Sequence, residues 1–234
     1  MTVTTTGMDI EAARHNMIEQ QVRTWEVLDQ SVLDLLAVVR REEFVPRDWR
    51  LLAFVDMEVP LKIDAGDGTL YDSGQAMFTP KVEARFLQEL AIRPHERVLE
   101  VGTGSGYMAA LIAHKAQHVL SIEIDERLCR FGAANLARAG VRNVTTEVGD
   151  GARGWAARAP YDVIMMSGGL PALPAELLAQ LKIGGRLAAI VGSAPVMSAQ
   201  VVTRLSEDSY DTLKIFETNV KMLRNAWRPS TFTF

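Results

Sequence analysis

The chain has 234 residues, of which 48% are hydrophobic and 23% are charged, a balance that fits one globular domain with at most a small appended segment. Its net charge of −4, without a basic block, argues against a nucleic-acid-binding protein. Cys129 is the single cysteine, which excludes an internal disulfide, and no apolar run approaches the ~20 residues that span a bilayer. We therefore predict a cytoplasmic protein that binds neither nucleic acid nor membrane.

The first forty residues predict two helices. Asp9 is a suitable N-cap for a helix that runs to about Arg23. Asp29 can cap a second helix, to about Val39, whose apolar residues recur at helical spacing. These extra helices precede the part of the chain in which strands begin.

Residues 57–80 read as an irregular segment. The stretch "DAGDGTLYDSG" is rich in turn formers and predicts an exposed loop. A helix follows Pro80, with apolar residues on one side. We expect residues 1–80 to form an N-terminal helical and substrate-loop segment, and residues 81–234 to form a cofactor-binding domain that packs with it as one unit.

From Arg97 onward, short β-rich runs alternate with helical runs. Predicted strands are "RVLEV", "HVLSIEI", "NVTTEV", "YDVIMMS" and "GRLAAIV". Predicted helices are "GYMAALIAHKA", "ERLCRFGAANLARAG" and "PAELLAQL". This alternation predicts an α/β protein with a mostly parallel sheet and helices on both faces. The runs "QVVTRL" and "LKIFETNV", joined by "SEDSYD", predict an antiparallel C-terminal hairpin at one edge.

The first strand-to-helix turn, "GTGSG", predicts a ligand site. Gly102 follows a buried strand, and glycine allows a ligand to lie directly against the backbone. Glu123 ends the next strand, where a carboxylate can accept both hydroxyls of a ribose. Asp150 follows the third strand and can accept a hydrogen bond from an exocyclic amine such as that of adenine. Each residue alone could be an ordinary turn or strand end, but together they favour a nucleoside ligand.

The residues around the turn discriminate between nucleoside ligands. A dinucleotide site has the pattern G-x-G-x-x-G, but position 107 is tyrosine, and the G-K-[ST] of a P-loop is absent. Glu100 would repel a pyrophosphate but suits a ligand that carries an ammonium group. S-adenosyl-L-methionine, with its adenine, ribose, amino group and sulfonium, fits these acids better than a dinucleotide does.

With these residues in place, the chain resembles the class I S-adenosylmethionine-dependent methyltransferases and, more narrowly, the protein-L-isoaspartate O-methyltransferase family. The resemblance is carried by "FVP" at 44–46, "GQ" at 74–75, "RVLEVGTGSGY", "HVLSIE", "NVTTEVGDGARGW", "APYDVIMMS" and "LPAELLAQLKIGGRL". It implies a Rossmann-like seven-stranded sheet and carboxyl methylation of isoaspartyl residues in damaged peptides or proteins, with S-adenosyl-L-homocysteine as the second product.

The resemblance implies roles for individual residues. The cofactor-binding set is Glu100, Val101, Gly102, Thr103, Gly104, Ser105, Gly106, Glu123, Ile124, Asp150, Gly151 and Ser167. Gln75, Phe78 and Gly168 would bind the substrate, and Thr79 and Ser167 would be catalytic. No metal is expected.

The substrate loop departs from the family pattern of Gly-Gln-Thr-Ile-Ser followed one residue later by proline. Ala76 stands at the threonine position and Phe78 at the serine position, so Thr79 is the nearest hydroxyl. About ten extra residues precede this stretch. Two alternatives therefore stay open: a methyltransferase of the same scaffold with a different, small acceptor, or a non-catalytic cofactor-binding protein. Monomer and homodimer are equally compatible with the sequence.

Overall fold

The structure is a computed structural model that describes residues 9–229. Its strands are β1 (Val59–Asp64), β2 (Leu70–Met77), β3 (Arg97–Val101), β4 (His118–Glu123), β5 (Val144–Val148), β6 (Tyr161–Leu170), β7 (Leu181–Ser193), β8 (Val196–Arg204) and β9 (Tyr210–Glu217). Its α-helices are α1 (Ile10–Met17), α2 (Gln30–Val38), α3 (Pro80–Leu90), α4 (Tyr107–Ala113), α5 (Glu126–Arg138) and α6 (Ala175–Leu178).

The two N-terminal helices begin at the predicted caps. The Asp9 carboxylate accepts from the Ala12 amide at 3.1 Å, and the Asp29 carboxylate accepts from the Ser31 amide at 2.8 Å. The first helix continues past α1 as a π-helical segment, Ile18–Val22, which was not expected. Both predicted helices are therefore confirmed, although the first changes from an α-helix to a π-helix at Ile18.

The prediction of an irregular segment at 57–80 is wrong. Strands β1 and β2 form an antiparallel hairpin in which Val59 pairs with Met77 and Ile63 pairs with Tyr71. Alternate residues of β1 are buried, which is the period of a half-buried strand. The predicted turn formers lie in the connection, where the Asp64 carboxylate accepts from two glycine amides.

Seven strands form one sheet in the order β5-β4-β3-β6-β7-β8-β9. The first five are parallel, while β8 runs antiparallel to both β7 and β9. The predicted mostly parallel sheet with an antiparallel C-terminal end is thereby confirmed. From β3 the chain moves outward to β4 and β5, and it then returns to the other side of β3 to form β6 and β7. This reversal of direction opens a crevice at the carboxyl ends of the strands.

The two faces of the sheet are covered unequally. Helices α3, α4 and α5 pack with the N-terminal helices in one large core, to which Phe44, Phe86 and Tyr107 contribute buried rings. The opposite face has a smaller core that includes Leu177 of α6 and the partly buried Trp155. Because the first core runs from the N-terminal segment into the sheet, the β1–β2 hairpin is supported next to the crevice.

Candidate functional site

The predicted glycine turn lies directly after β3, at the reversal of strand order. Gly102, Gly104 and Gly106 have φ values of +98°, +51° and +82°, in a region of backbone conformation that residues with a Cβ rarely adopt. Gly106 caps α4, and a Cβ there would lie 2.9 Å from the Gly132 carbonyl of α5. The turn is therefore held against α5, with its backbone facing the crevice.

Glu123 ends β4 beside this turn. Its Oε2 accepts from the Gly104 amide at 2.9 Å, and its Oε1 accepts from the Asp125 amide at 3.1 Å. The side chain is 6% exposed, and burial raises its pKa while the two amides oppose that rise. The carboxylate is thus fixed in orientation at the rim of the turn, as a group that receives two ribose hydroxyls requires.

Asp150 lies after β5, on the far side of Glu123 from the hairpin. Its Oδ1 accepts from the Ala152 amide at 3.0 Å, and its Oδ2 accepts from the Asn225 side-chain amide at 2.9 Å. The neighbouring Gly151 packs tightly, because a Cβ there would lie 2.8 Å from Val101 Cγ1. Each oxygen of the carboxylate that was predicted to meet an adenine amine thus already accepts a hydrogen bond from an amide group.

Glu100 is fully buried beneath the turn. Its carboxyl oxygens accept from the hydroxyls of Ser121, at 2.6 Å, and Ser167, at 3.1 Å. Burial raises the pKa of Glu100 to about 8, so the group is mostly neutral at pH 7 without a cation nearby. Glu100 does not line the cavity, but Ser167 does, and the serine connects the buried acid to the crevice.

A cavity of about 620 Å³, open to solvent, joins the glycine turn to the β1–β2 hairpin. Its lining is Leu61, Gln75, Ala76, Met77, Phe78, Glu83, Gly102, Thr103, Gly104, Ser105, Met108, Glu123, Ile124, Leu128, Ser167, Leu223 and Arg224. An adjacent smaller cavity is lined by Val101, Ile122, Asp150, Gly151 and Ala152, together with Gly102, Glu123, Ile124, Leu223 and Arg224. Two neighbouring spaces on one crevice suit an elongated ligand with chemically different ends.

The hairpin side of the cavity lacks the hydroxyl that was predicted there, that of Thr79. Phe78 is 6% exposed and packs against Phe86, with ring centroids 6.4 Å apart. Thr79 does not line the cavity; its hydroxyl is buried at the N-cap of α3 without a hydrogen-bond partner among the described residues. Gln75 is the polar side chain that this stretch presents to the cavity.

Residues 221–225, which we call the C-terminal strap, cross the carboxyl ends of the strands. Leu223 pairs with Gly169 through its amide, at 2.9 Å, and its side chain covers Gly102 and Gly168. The Arg224 guanidinium donates to the Asp125 carboxylate at 3.0 Å and to the carbonyl of Ser73 in the hairpin at 2.8 Å. The strap therefore connects the glycine-turn side of the crevice to the hairpin.

Most of the predicted site residues meet on this crevice. Those that line neither cavity are Glu100, Gly106, Thr79 and Gly168. Sequence reasoning did not identify the strap, and it did not identify Glu83. Glu83 lies three and four residues before Phe86 and Leu87 on α3, so an acidic residue on an apolar helix face was a usable signal.

Residues 9–229 contain no group of three or more histidine, cysteine or acidic side chains arranged to hold a metal ion. Within the same residues, no helix is both long and apolar enough to cross a membrane.

The sequence matches a known protein family over most of its length. The family model for Protein-L-isoaspartate(D-aspartate) O-methyltransferase (PCMT) matches residues 12–221. A Rhodopseudomonas palustris relative, protein-L-isoaspartate O-methyltransferase 1, is 40% identical over 203 residues, which are 87% of this chain and 78% of the relative. Protein-L-isoaspartate O-methyltransferase 2 of Marinobacter nauticus is 36% identical over 206 residues, which are 88% of this chain and 90% of the relative.

Solved structures agree with the fold. A protein-L-isoaspartate O-methyltransferase superposes with a TM-score of 0.74 at 24% identity, covering 90% of this chain and 65% of that one. A Plasmodium falciparum protein described with the same activity, crystallised with S-adenosyl-L-homocysteine, also has a TM-score of 0.74, at 17% identity, with 92% of this chain and 97% of that one covered.

Proposed function

The chain belongs to the protein-L-isoaspartate(D-aspartate) O-methyltransferase family, and on that premise we propose that it methylates the carboxylate of isoaspartyl residues in peptides or proteins. One observation carries this proposal: a single cavity is lined both by the glycine turn at 102–105 and by the hairpin stretch at 75–78. A methyl donor on the turn would therefore meet an acceptor on the hairpin within one cavity.

The family depends on S-adenosylmethionine, and the residues around the turn fit that group. Gly102 and Gly104 expose backbone, and the oriented carboxylate of Glu123 would accept the ribose hydroxyls. Asp150 would accept the adenine amine, and Ser167 would lie near the methionine portion, backed by Glu100. Once bound, the cofactor supplies a methyl group activated by a sulfonium.

A carboxylate acceptor does not have to be deprotonated by the protein. An isoaspartyl carboxyl has a free pKa of about 4 and is already anionic at neutral pH. Its oxygen forms the new bond to the methyl carbon, while the electron pair of the broken carbon–sulfur bond stays on sulfur. No base has to remove a proton, so the cavity needs only to orient and desolvate the carboxylate.

Labelled methyl transfer tests this proposal. The protein is incubated with radiolabelled S-adenosylmethionine and a synthetic isoaspartyl peptide, and base-labile methyl ester is counted. We expect ester formation on the isoaspartyl peptide and none on the matched peptide with normal aspartate. Equal or absent labelling of the two peptides would contradict the isoaspartyl assignment.

An apolar acceptor is the second candidate. Leu61, Met77, Phe78 and Met108 make much of the cavity wall apolar, which favours a small hydrophobic or aromatic acceptor over an extended peptide. Cofactor binding without labelling of either peptide would favour this candidate.

Arg224 of the strap is expected to slow the release of cofactor. Replacing it with alanine removes the hydrogen bonds to Asp125 and Ser73 and frees the strap from the hairpin. Because the Arg224 side chain is 37% exposed, we expect a loss of about 1 kcal/mol, or about fivefold faster dissociation of S-adenosyl-L-homocysteine. Stopped-flow fluorescence measures this rate. Arg153→Ala, which removes an exposed ion pair with Glu176 and no contact of the strap, should leave the rate unchanged; equal rates in all three proteins would contradict a closing role.

A further inference from the structure

Glu83 is an acidic residue on the cavity wall that the mechanism above does not use. It lies in the first turn of α3, directly after the hairpin stretch, and is 3% exposed. Phe78, Ser105 and Met108 line the same cavity. A carboxyl group in this position faces the space in which the acceptor would bind.

Only one of the two carboxyl oxygens of Glu83 has a hydrogen-bond partner among the described residues. Oε2 accepts from Arg41 Nε at 3.1 Å. The other Arg41 nitrogens donate to the carbonyls of Ala53, at 3.2 Å, and Phe78. Each nitrogen of the guanidinium therefore makes one hydrogen bond, none of which reaches the second oxygen of Glu83, and that oxygen is left for a ligand.

The surroundings of Glu83 favour its neutral form. Burial raises the pKa of Glu83 to about 7, and the attraction of Arg41 opposes that rise. The other titratable groups that face it are Tyr107 from α4 and Glu100 from β3. Glu123 and Arg224 lie on the same cavity. At and below neutral pH, Glu83 can thus carry an O–H donor inside the cavity.

Hydrogen-bond donors are few on the hairpin side of the cavity, where Gln75 supplies the polar side chain. Residues 75–78 contribute no hydroxyl to it, and the hydroxyl of Thr79 is buried outside it. An ionised Glu83 would repel a carboxylate acceptor bound beside it. A neutral Glu83 removes the repulsion and supplies a hydrogen bond.

We infer that Glu83 binds the acceptor, donating a hydrogen bond from its protonated second carboxyl oxygen to the acceptor carboxylate. The other acceptor oxygen is left to attack the methyl carbon. This inference rests on the proposed isoaspartyl function.

The pH dependence of kcat/KM for the isoaspartyl peptide, measured from pH 6 to pH 9 at saturating cofactor, tests the inference. In the wild type, kcat/KM should fall about tenfold per pH unit above pH 7, mainly through a rising KM for the peptide. Glu83→Gln keeps the shape, can still accept from Arg41, and donates from its amide at every pH. Its profile should therefore be flat over this range.

Two comparisons keep the test specific. Glu89→Gln, on the same helix, in a partly buried pair with Arg85 and outside the cavity lining, should retain the wild-type decline. Glu100 is intact in both variants, so any effect of its ionisation is common to them. A wild-type profile that is flat or rising above pH 7, measurable without any variant, would overturn the inference, as would the same decline in Glu83→Gln.

The two proposals fail in different ways. Methylation of the peptide with a flat wild-type profile removes the role of Glu83 and leaves the proposed function standing. Failure to methylate the peptide at any pH overturns the proposed function and this inference with it.

Discussion

Replacing Arg41 by leucine is expected to lower the free energy of unfolding by about 3–5 kcal/mol, because it removes the donor that serves three buried acceptor groups. Arg41 is fully buried, and its guanidinium contacts Glu83 and the carbonyls of Ala53 and Phe78. Without it, one carboxyl and two carbonyl groups stay buried without their donors. Urea denaturation followed by circular dichroism measures the loss.

The loss should be larger at pH 8 than at pH 6. In the wild type, the pKa of Glu83 is about 7 in the folded chain against an ordinary value of 4.5, so stability falls as pH rises between these values. Arg41 opposes the rise in pKa, so its removal raises the pKa further and extends the decline above pH 7. Arg40→Leu, at an exposed neighbouring position, should cost less than about 0.5 kcal/mol. Similar stabilities for the Arg40 and Arg41 variants would refute the structural role of the pair.

Glu123→Ala is expected to weaken binding of S-adenosyl-L-homocysteine by about 1–3 kcal/mol, or roughly 5- to 150-fold. The substitution removes the proposed acceptor for the two ribose hydroxyls and releases the amides of Gly104 and Asp125 that the carboxylate holds. Isothermal titration calorimetry measures the affinity directly.

A nearby acid serves as the control for Glu123. Glu126 is exposed at the start of α5 and pairs with Arg130, so Glu126→Ala removes the same charge three residues away without touching the cavity. Its affinity should equal that of the wild type. An unchanged affinity in Glu123→Ala, in a variant whose melting temperature is normal, would remove the ribose assignment.

Local patterns were sufficient to predict which residues meet on the glycine-turn side of the crevice. The turn from Gly102 to Gly106 follows from a buried strand that runs into alternate glycines. Glu123 and Asp150 follow because the carboxyl ends of parallel strands meet at one edge, whatever their exact register. The same patterns predicted the sheet and its antiparallel end.

Local patterns failed where a short strand was hidden among turn formers. The run from Val59 to Asp64 alternates between buried and half-buried residues, yet its partner strand contains Asp72, Ser73 and Gly74, which are uncommon in strands. Packing of the hairpin against the N-terminal core overrode this weak propensity.

By itself, the sequence determined the fold class, the glycine turn and the acids at the strand ends, because each depends on residues within one strand–turn–helix unit. The tertiary structure alone decided the partners of Arg41, Glu83 and Arg224. Arg41 meets Glu83 across 42 positions, and Arg224 meets Asp125 across 99. Contacts at such separations leave no periodicity in the chain, because they arise only when the folded core brings distant segments to the same crevice.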